Sequence, residues 1–434
     1  MSKIAGGNMN EMIVEYVDPL HLNWIQFDAN FQSLATSDLA VRARGITMGT
    51  VPNQFRMNGA LPSRFHHNAG SYLLTSTYVR ANNQELFKTE MGNLYKAAAM
   101  MHDWGNSPFA HLSERLMKVD IGYNGETFLQ VLLDSSIGRS AKAALLKMGV
   151  DPETLVKMVS GNLKPYSNLI HGDMDVDNLD NVYRYDMCAH ATNSKSGCPS
   201  LIALNFFWDE DSQCWGLQKQ DLQATYKKNL NIELGPTKDW LPESLLDWKK
   251  TRRKVYRDIS SGSHIIVGTM LFSALWQAHK KGCIKTEDYL GTDNSMIELL
   301  SKASPVMMDK IIRMNWFTQV LDYQTTIPSL RLKEIAGDSM MRMELADRFA
   351  TRYGIDINQV TIYVGVDGME RVINVPVFGY ENASTVEELL VQCFPDNLEA
   401  ITNPPNYRVH VNLDREVINT LKDKVEDFVL SEIW

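Results

Sequence analysis

A histidine followed directly by an aspartate, His102-Asp103, closes an apolar stretch and runs straight into the helix-breaking Trp104-Gly105-Asn106-Ser107-Pro108. An imidazole and a carboxylate held at a helix end could ligate a cation. Neighbouring helical residues point about 100° apart, so the pair can grip one ion only if further ligands arrive from other helices. Two segments offer them. Arg64-Phe65-His66-His67 opens a periodic stretch through Tyr72, Leu73 and Tyr78, and Asp173, Asp175, Asp177 and Asp180 crowd a segment that ends at Asp186. Such a mixture of imidazoles and carboxylates suits a divalent ion of borderline or hard character, Mn, Fe, Zn or Mg. Any one of the ten histidines taken alone is more often a structural residue than a ligand, so the grouping carries the case.

His111 and Glu114 are three residues apart and share a helix face if a helix starts after Pro108. A carboxylate bonded to an imidazole fixes its tautomer and raises its basicity, which suits a histidine that relays a proton. The competing reading is a helix-start histidine beside a capping glutamate. Cys188-x-His190 with Cys198 and Cys214 would be a zinc site only with a spacing that fits no closed structural pattern. Phe206, Phe207, Trp208 and Trp215 read as a core or subunit contact in preference to a base-stacking platform.

Helices must position these groups. Apolar residues recur at helical spacing from about 37 to 190, as in Leu86, Leu94, Tyr95, Ala98 and Met101. LIALNFFW and CWGLQ flank DEDSQ and predict a β-hairpin inserted at 201–218. Helical spacing resumes over Leu245 to Lys281, Ser295 to Tyr323 and Met340 to Tyr353. After Gly354 the runs VTIYVGV, INVPVFGY and YRVHVNL are β-rich. The expected architecture is mainly α, a helical core over 37–354 after an N-terminal segment 1–36, with a small C-terminal α+β lobe over 355–434.

The order Arg64-x-x-His67, His102-Asp103, Asp177 resembles the HD superfamily. More narrowly, Gly105-Asn106-Ser107-Pro108-Phe109-Ala110-His111-x-x-Glu114 is similar to the GNPPFGHxGE segment of deoxynucleoside triphosphate triphosphohydrolases, dGTPase-like enzymes and the core of the SAM-and-HD-domain proteins. Ile170 to Asp180 resembles the late metal-aspartate segment, and Val41 to Ile46 stands where relatives carry an arginine-bearing helix. The likeness spans roughly 35–190 and continues weakly to about 280.

That resemblance implies an HD-domain core with one divalent ion on His67, His102, Asp103 and Asp177, and a Mg ion on the substrate phosphates as a further expectation. His66 is left out because the RxxH spacing selects His67. It implies water attack on the α-phosphorus of a dNTP, releasing a deoxynucleoside and triphosphate, with His111 and Glu114 as catalytic groups. A metal would lower the pKa of a water and neutralise charge on a phosphoryl oxygen. Expected substrate contacts are Arg64 on phosphate, Asn106, Asn124, Asn178, Asn181 and Asp186, and Arg253 and Arg257 from the basic run Lys249 to Arg257. A solvated helix face is the alternative for that run. Relatives place Lys and Tyr where this chain has Asn178 and Asn181, which removes a charge and an aromatic wall. Hydrolysis of another nucleotide, a monophosphate or cyclic dinucleotide, and a non-catalytic nucleotide-binding regulator are the competing functions. Relatives assemble, so a homo-oligomer (dimer, tetramer or hexamer) is expected.

The 434 residues have 44% hydrophobic and 22% charged residues, an ordinary folded composition. A net charge of -9 argues against a broad cationic face for nucleic acid. Five widely spaced cysteines without a CxxC pair fit a reducing compartment, and no basic-then-apolar leader or long apolar stretch stands out, so a cytoplasmic, non-membrane protein is expected.

Overall fold

Glu90–Met101 is rich in alanine and forms a helix buried on nearly every side, with Tyr95, Ala97, Ala98, Met100 and Met101 shut off from solvent. Small side chains let other helices come close, and Arg64–Leu73 and Pro152–Val159 pack against this one. The computed structural model describes residues 15–21, 23–57, 59–190, 198–219, 239–260, 262–367, 372–397, 401 and 406–434.

The N-terminal part runs β1 (Glu15–Asp18), β2 (Asn23–Gln26), α1 (Ala29–Ala35), α2 (Asp38–Arg44), α3 (Arg64–Leu73), α4 (Arg80–Asn82), α5 (Gln84–Phe87), α6 (Glu90–Met101), α7 (His111–Ile121), α8 (Gly125–Asp134), α9 (Arg139–Lys147), α10 (Pro152–Val159) and α11 (Val176–His190). Local chemistry sets many starts: Ser37 caps α2, the Asn124–Thr127 capping box opens α8, and Asp151 with Pro152 starts α10. Next come α12 (Pro199–Ala203), the hairpin β3 (Phe206–Asp209) and β4 (Cys214–Gln218), then α13 (Leu241–Ile259), α14 (Gly262–Lys280), α15 (Asp293–Ala303) and α16 (Pro305–Ile312). The last part is β5 (Thr318–Thr325), α17 (Leu330–Gly337), α18 (Ser339–Tyr353), β6 (Val360–Asp367), β7 (Val377–Phe378), α19 (Val386–Cys393), β8 (Asn406–Leu413) and α20 (Ile418–Glu432). The fold is mainly α.

A second apolar cluster lies in the C-terminal lobe, where β8 is the central strand between β5 and β6, antiparallel to both. Val409 and Val411 pair with Val364 and Ile362 on the face that packs with Phe349 and Phe428. The opposite face is polar. It carries Thr361 and Asn412, both bonded to Thr269 of α14.

Four expectations need correction. Residues 199–203 are helical, because Pro199 at the first helical position starts α12, and the strand begins only at Phe206. The helix expected over Leu245 to Lys281 is two helices, α13 and α14, bent by 54°. The helix expected to reach Tyr323 stops at Ile312, and Thr318–Thr325 is β5, paired with β8. The lobe does not begin at 355: β5, α17 and α18 belong to its sheet and core. Ile373, Val377, Leu389 and Ile401 instead join the main cluster, with β7 parallel to β4. Phe206, Trp208 and Trp215 are buried in that main core, where the Trp215 indole donates to Tyr95 Oη at 2.9 Å. Among the described residues no single helix is long and apolar enough to cross a membrane.

Candidate metal centre

Three helices deliver the central groups. His67 lies in the first turns of α3, His102 caps the end of α6, and Asp177 stands in the first turn of α11. His67 Nε2 and His102 Nε2 are 3.1 Å apart, and Asp177 Oδ1 lies 2.9 Å from the first and 3.4 Å from the second. Asp103 completes the group more loosely, its Oδ2 at 3.6 and 3.7 Å from the same two nitrogens. The Arg64 guanidinium pairs with that oxygen, and the Asn106 amide donates to Asp103 Oδ1 at 2.6 Å.

The outer nitrogens decide what the inner ones can do. His67 Nδ1 meets Asp180 Oδ1 at 2.8 Å, and His102 Nδ1 meets the Ala99 carbonyl at 3.0 Å. An N–H donated outward at each Nδ1 leaves a lone pair on each Nε2. Two imidazole lone pairs and a carboxylate oxygen then converge on one point, an arrangement that repels itself unless a cation sits between them. The donor set therefore fits a divalent metal, with His67, His102 and Asp177 as inner ligands and Asp103 beside them.

Burial by itself would lower the His102 pKa, but the Asp103 and Asp177 carboxylates outweigh it and hold the group up at about 9. Burial would raise Asp103, yet Arg64 and His102 pull it down to about 2. Asp177 is held well below the usual carboxylate range, burial being overcome by His102 and His67. The centre is thus anionic and takes up protons when no metal neutralises it.

Behind His67 stands a buried relay that the sequence reading did not assign. Arg184 bonds both oxygens of Asp180, at 2.6 and 2.7 Å, and reaches Asp18 at 2.8 Å, while His21 touches Asp180 at 3.1 Å. A carboxylate behind a ligating histidine fixes the ring and raises its basicity. The relay leaves no room at Gly70, where a Cβ would stand 2.1 Å from Asp180 Oδ2 and 2.3 Å from Arg184 Nη2. The spacings Asp177-x-x-Asp180 and Asp180-x-x-x-Arg184 on one helix were the available signal. Asp18 and His21 arrive from the N-terminal segment and carried none.

The loop between His102 and His111 is clamped from outside. Arg42 donates to the carbonyls of Trp104, Asn106, Tyr289 and Leu290, and Asp293 accepts from the amides of Phe109 and Thr47 at 2.8 Å each. Phe109 and Ala110 have positive φ, 62° and 48°, a conformation non-glycine residues hold only when their surroundings impose it. His111 emerges from this loop with its side chain 61% exposed, and its Nδ1 lies 2.8 Å from Glu114 Oε2.

Several expected substrate contacts have other work. Asn124 spends its oxygen on the α8 cap, accepting from the Thr127 amide at 2.9 Å. Asn178 is buried and bonds Asp175 at 2.8 Å. Asp186 pairs with His190 and with Lys254 of the basic run, Lys249 pairs with Glu387, and Arg252 stacks 4.3 Å from the Tyr256 ring centroid. Asn106 positions Asp103. Asn181 lies half-buried one turn beyond Asp177, Arg253 is half-buried and Arg257 exposed on α13. His66 turns to Ser63, 2.8 Å away. Cys188, Cys198 and Cys214 are free thiols, and the metal-competent group among the described residues is the one at His67.

No protein-family model matches the chain, and no curated protein matches its sequence. Its fold is shared with the crystal structure of a hypothetical protein from Aquifex aeolicus, at a TM-score of 0.65 and 17% identity over 95% of this chain and 100% of the other. A phosphohydrolase from Bacteroides thetaiotaomicron superposes with a TM-score of 0.63 and 14% identity, over 93% of this chain and 100% of that one. At such identities the likeness is one of fold.

Proposed function

We propose that this chain is a metal-dependent phosphohydrolase that splits deoxynucleoside triphosphates into deoxynucleoside and triphosphate. The observation that carries this reading is the convergence of His67, His102 and Asp177 on one point, a loop away from the exposed His111–Glu114 pair. The shared fold with a protein named a phosphohydrolase supports the reaction class. A divalent ion held by His67, His102, Asp103 and Asp177 would lower the pKa of a water and neutralise charge on a phosphoryl oxygen. Water attacks the α-phosphorus, the bond from phosphorus to O5′ breaks, and the oxygen of water stays on the triphosphate. His111, held at Nδ1 by Glu114, keeps Nε2 to hand a proton to the departing 5′ oxygen. Asn106 and Arg64 keep Asp103 in place.

A reading with fewer phosphates has one observation in its favour. Asn178, the residue after Asp177, is buried against Asp175, so no cation follows the metal aspartate to meet a polyphosphate tail. Incubating the purified protein with each dNTP and Mn, and identifying the phosphorus product, decides between them. Intact triphosphate is the expected product. Orthophosphate from a monophosphate, with dNTPs untouched, would give the site to the second reading.

A further inference from the structure

Strands β1 and β2 are four residues each and form a two-stranded sheet of their own. Such a hairpin is marginal in water by itself. Ile25 and the partly buried Leu20 join it to the main cluster, but the turn between the strands is held by polar atoms. Asp18 Oδ1 accepts from the amides of Leu20 at 2.9 Å and His21 at 3.0 Å, an Asx-type turn that fixes where the His21 ring can go. Asp18 Oδ2 accepts from Arg184 Nη2 at 2.8 Å. One buried carboxylate thus shapes the turn and docks it on α11.

The His21 side chain is 2% exposed, and its Nε2 lies 3.1 Å from Asp180 Oδ2. Asp180, paired with the Arg184 guanidinium, is ionised and can only accept, so the His21 nitrogen facing it carries the proton. The donors to Asp180 fall two on each oxygen. His67 Nδ1 at 2.8 Å and Arg184 Nε at 2.6 Å meet Oδ1, while Arg184 Nη2 at 2.7 Å and His21 Nε2 at 3.1 Å meet Oδ2. A carboxylate offers about four lone-pair sites, so each has its donor. Without His21, Oδ2 keeps one donor against two on Oδ1, and the carboxylate plane that holds the His67 ring is no longer set from both sides.

We propose that His21 is a positioning residue of the metal centre, and that through it the N-terminal hairpin and a bound divalent ion hold each other in place. The proposal rests on the metal-dependent reading, and on no particular substrate. When His67 Nε2 is ligated the ring gives up charge, its Nδ1–H becomes a stronger donor to Asp180, and Oδ2 stays turned toward His21. Linkage makes the effect mutual: whatever factor the docked hairpin adds to metal affinity, the metal adds to hairpin docking.

Calorimetry of Mn binding to the full-length protein tests the first half. His21→Leu, which keeps a buried apolar body but no donor, should weaken binding by about 10- to 100-fold, the usual cost of losing a partner behind a metal ligand. His21→Gln, whose amide nitrogen can stand where Nε2 stands, should recover most of that loss. Hydrogen exchange tests the second half in the unaltered protein. The amides of β1 and β2 should exchange more slowly with Mn bound, by about the factor lost in His21→Leu, and should slow more than those of β8 in the C-terminal lobe. Equal Mn affinity in the parent and His21→Leu, an equal loss in the Leu and Gln variants, or hairpin exchange indifferent to Mn would each overturn the proposal. Its failure and that of the metal centre are told apart by metal content. A parent protein that takes up no divalent ion defeats the centre and this proposal with it, whereas a loaded parent indifferent to His21 defeats the positioning role alone.

Discussion

At the scale of residues, the proposed mechanism separates groups that would hold the ion from groups that would handle protons. His111 and Glu114 touch none of the inner ligands in the hydrogen-bond pattern, so His111→Ala should lower turnover by about 100-fold or more, the usual share of general acid–base catalysis, at full metal content. Metal analysis beside steady-state rates checks it, and near-normal turnover in the loaded variant would remove His111 from the mechanism. A second outcome follows from His102, held up at about 9 by Asp103 and Asp177 against burial. Below that pH the metal-free ring carries a proton that an incoming cation must displace. Affinity therefore falls as pH falls, about tenfold per unit for each proton released. Calorimetry of Mn binding between pH 6 and 8, in buffers of different ionisation enthalpy, would show this proton release. A flat profile would contradict the assignment of His102 Nε2 as a ligand atom.

At the scale of elements, α3 and α11 are locked together at Gly70, against which Asp180 and Arg184 lie. Replacing a helical glycine by alanine ordinarily stabilises by about 0.5–1 kcal/mol. Here the sign should reverse, because the new Cβ would overlap two buried charged groups, and overpacking of that kind costs roughly 1–3 kcal/mol. Gly70→Ala should lower the thermal midpoint and, by displacing Asp180 from His67, weaken metal binding by about 10- to 100-fold. A variant as stable as the parent with unaltered metal affinity would show that the relay does not orient His67.

At the scale of the whole molecule, the candidate metal ligands stand on α3, α6 and α11, whose apolar residues belong to the main cluster, while the lobe sheet packs its apolar face on a separate one. Phe349 is fully buried there, its ring 4.9 Å from Phe428. Phe349→Ala should cost about 3–5 kcal/mol. Metal affinity at 25 °C should stay unchanged, because no ligand or relay residue belongs to that cluster. Denaturant unfolding with parallel metal titration measures both. Loss of metal in step with stability would mean that the lobe supports the centre through α14, which its polar face contacts at Thr269.

Local signals in the sequence were enough for the parts that are themselves local. The apolar period ending at His102 and the breaker residues after it marked out His102-Asp103 and the segments around His67 and Asp177, and the resemblance to a known family chose His67 and Asp177 within them, the two residues that the fold brings beside His102. Alternating β-branched runs located β6 and β8. Long-range pairing decided the rest. Thr318 to Tyr323 is compatible with either period, and it became a strand because β8 offers it a ladder. Asp18 and Arg184 lie 166 positions apart, so no spacing rule links them, and only packing around Gly70 joins them into one relay. Asn124 and Asn178 are polar enough to meet a substrate, but the Asn124 oxygen accepts at the α8 cap and the Asn178 amide donates to Asp175. In the basic run Lys254, Lys249 and Arg252 are divided in space among Asp186, Glu387 and an aromatic ring, while Arg253 and Arg257, the two expected on substrate, stand half-buried and exposed on α13. Residue type and period are properties of a short window. Which polar atoms remain available to a ligand depends on neighbours that only the folded chain brings together.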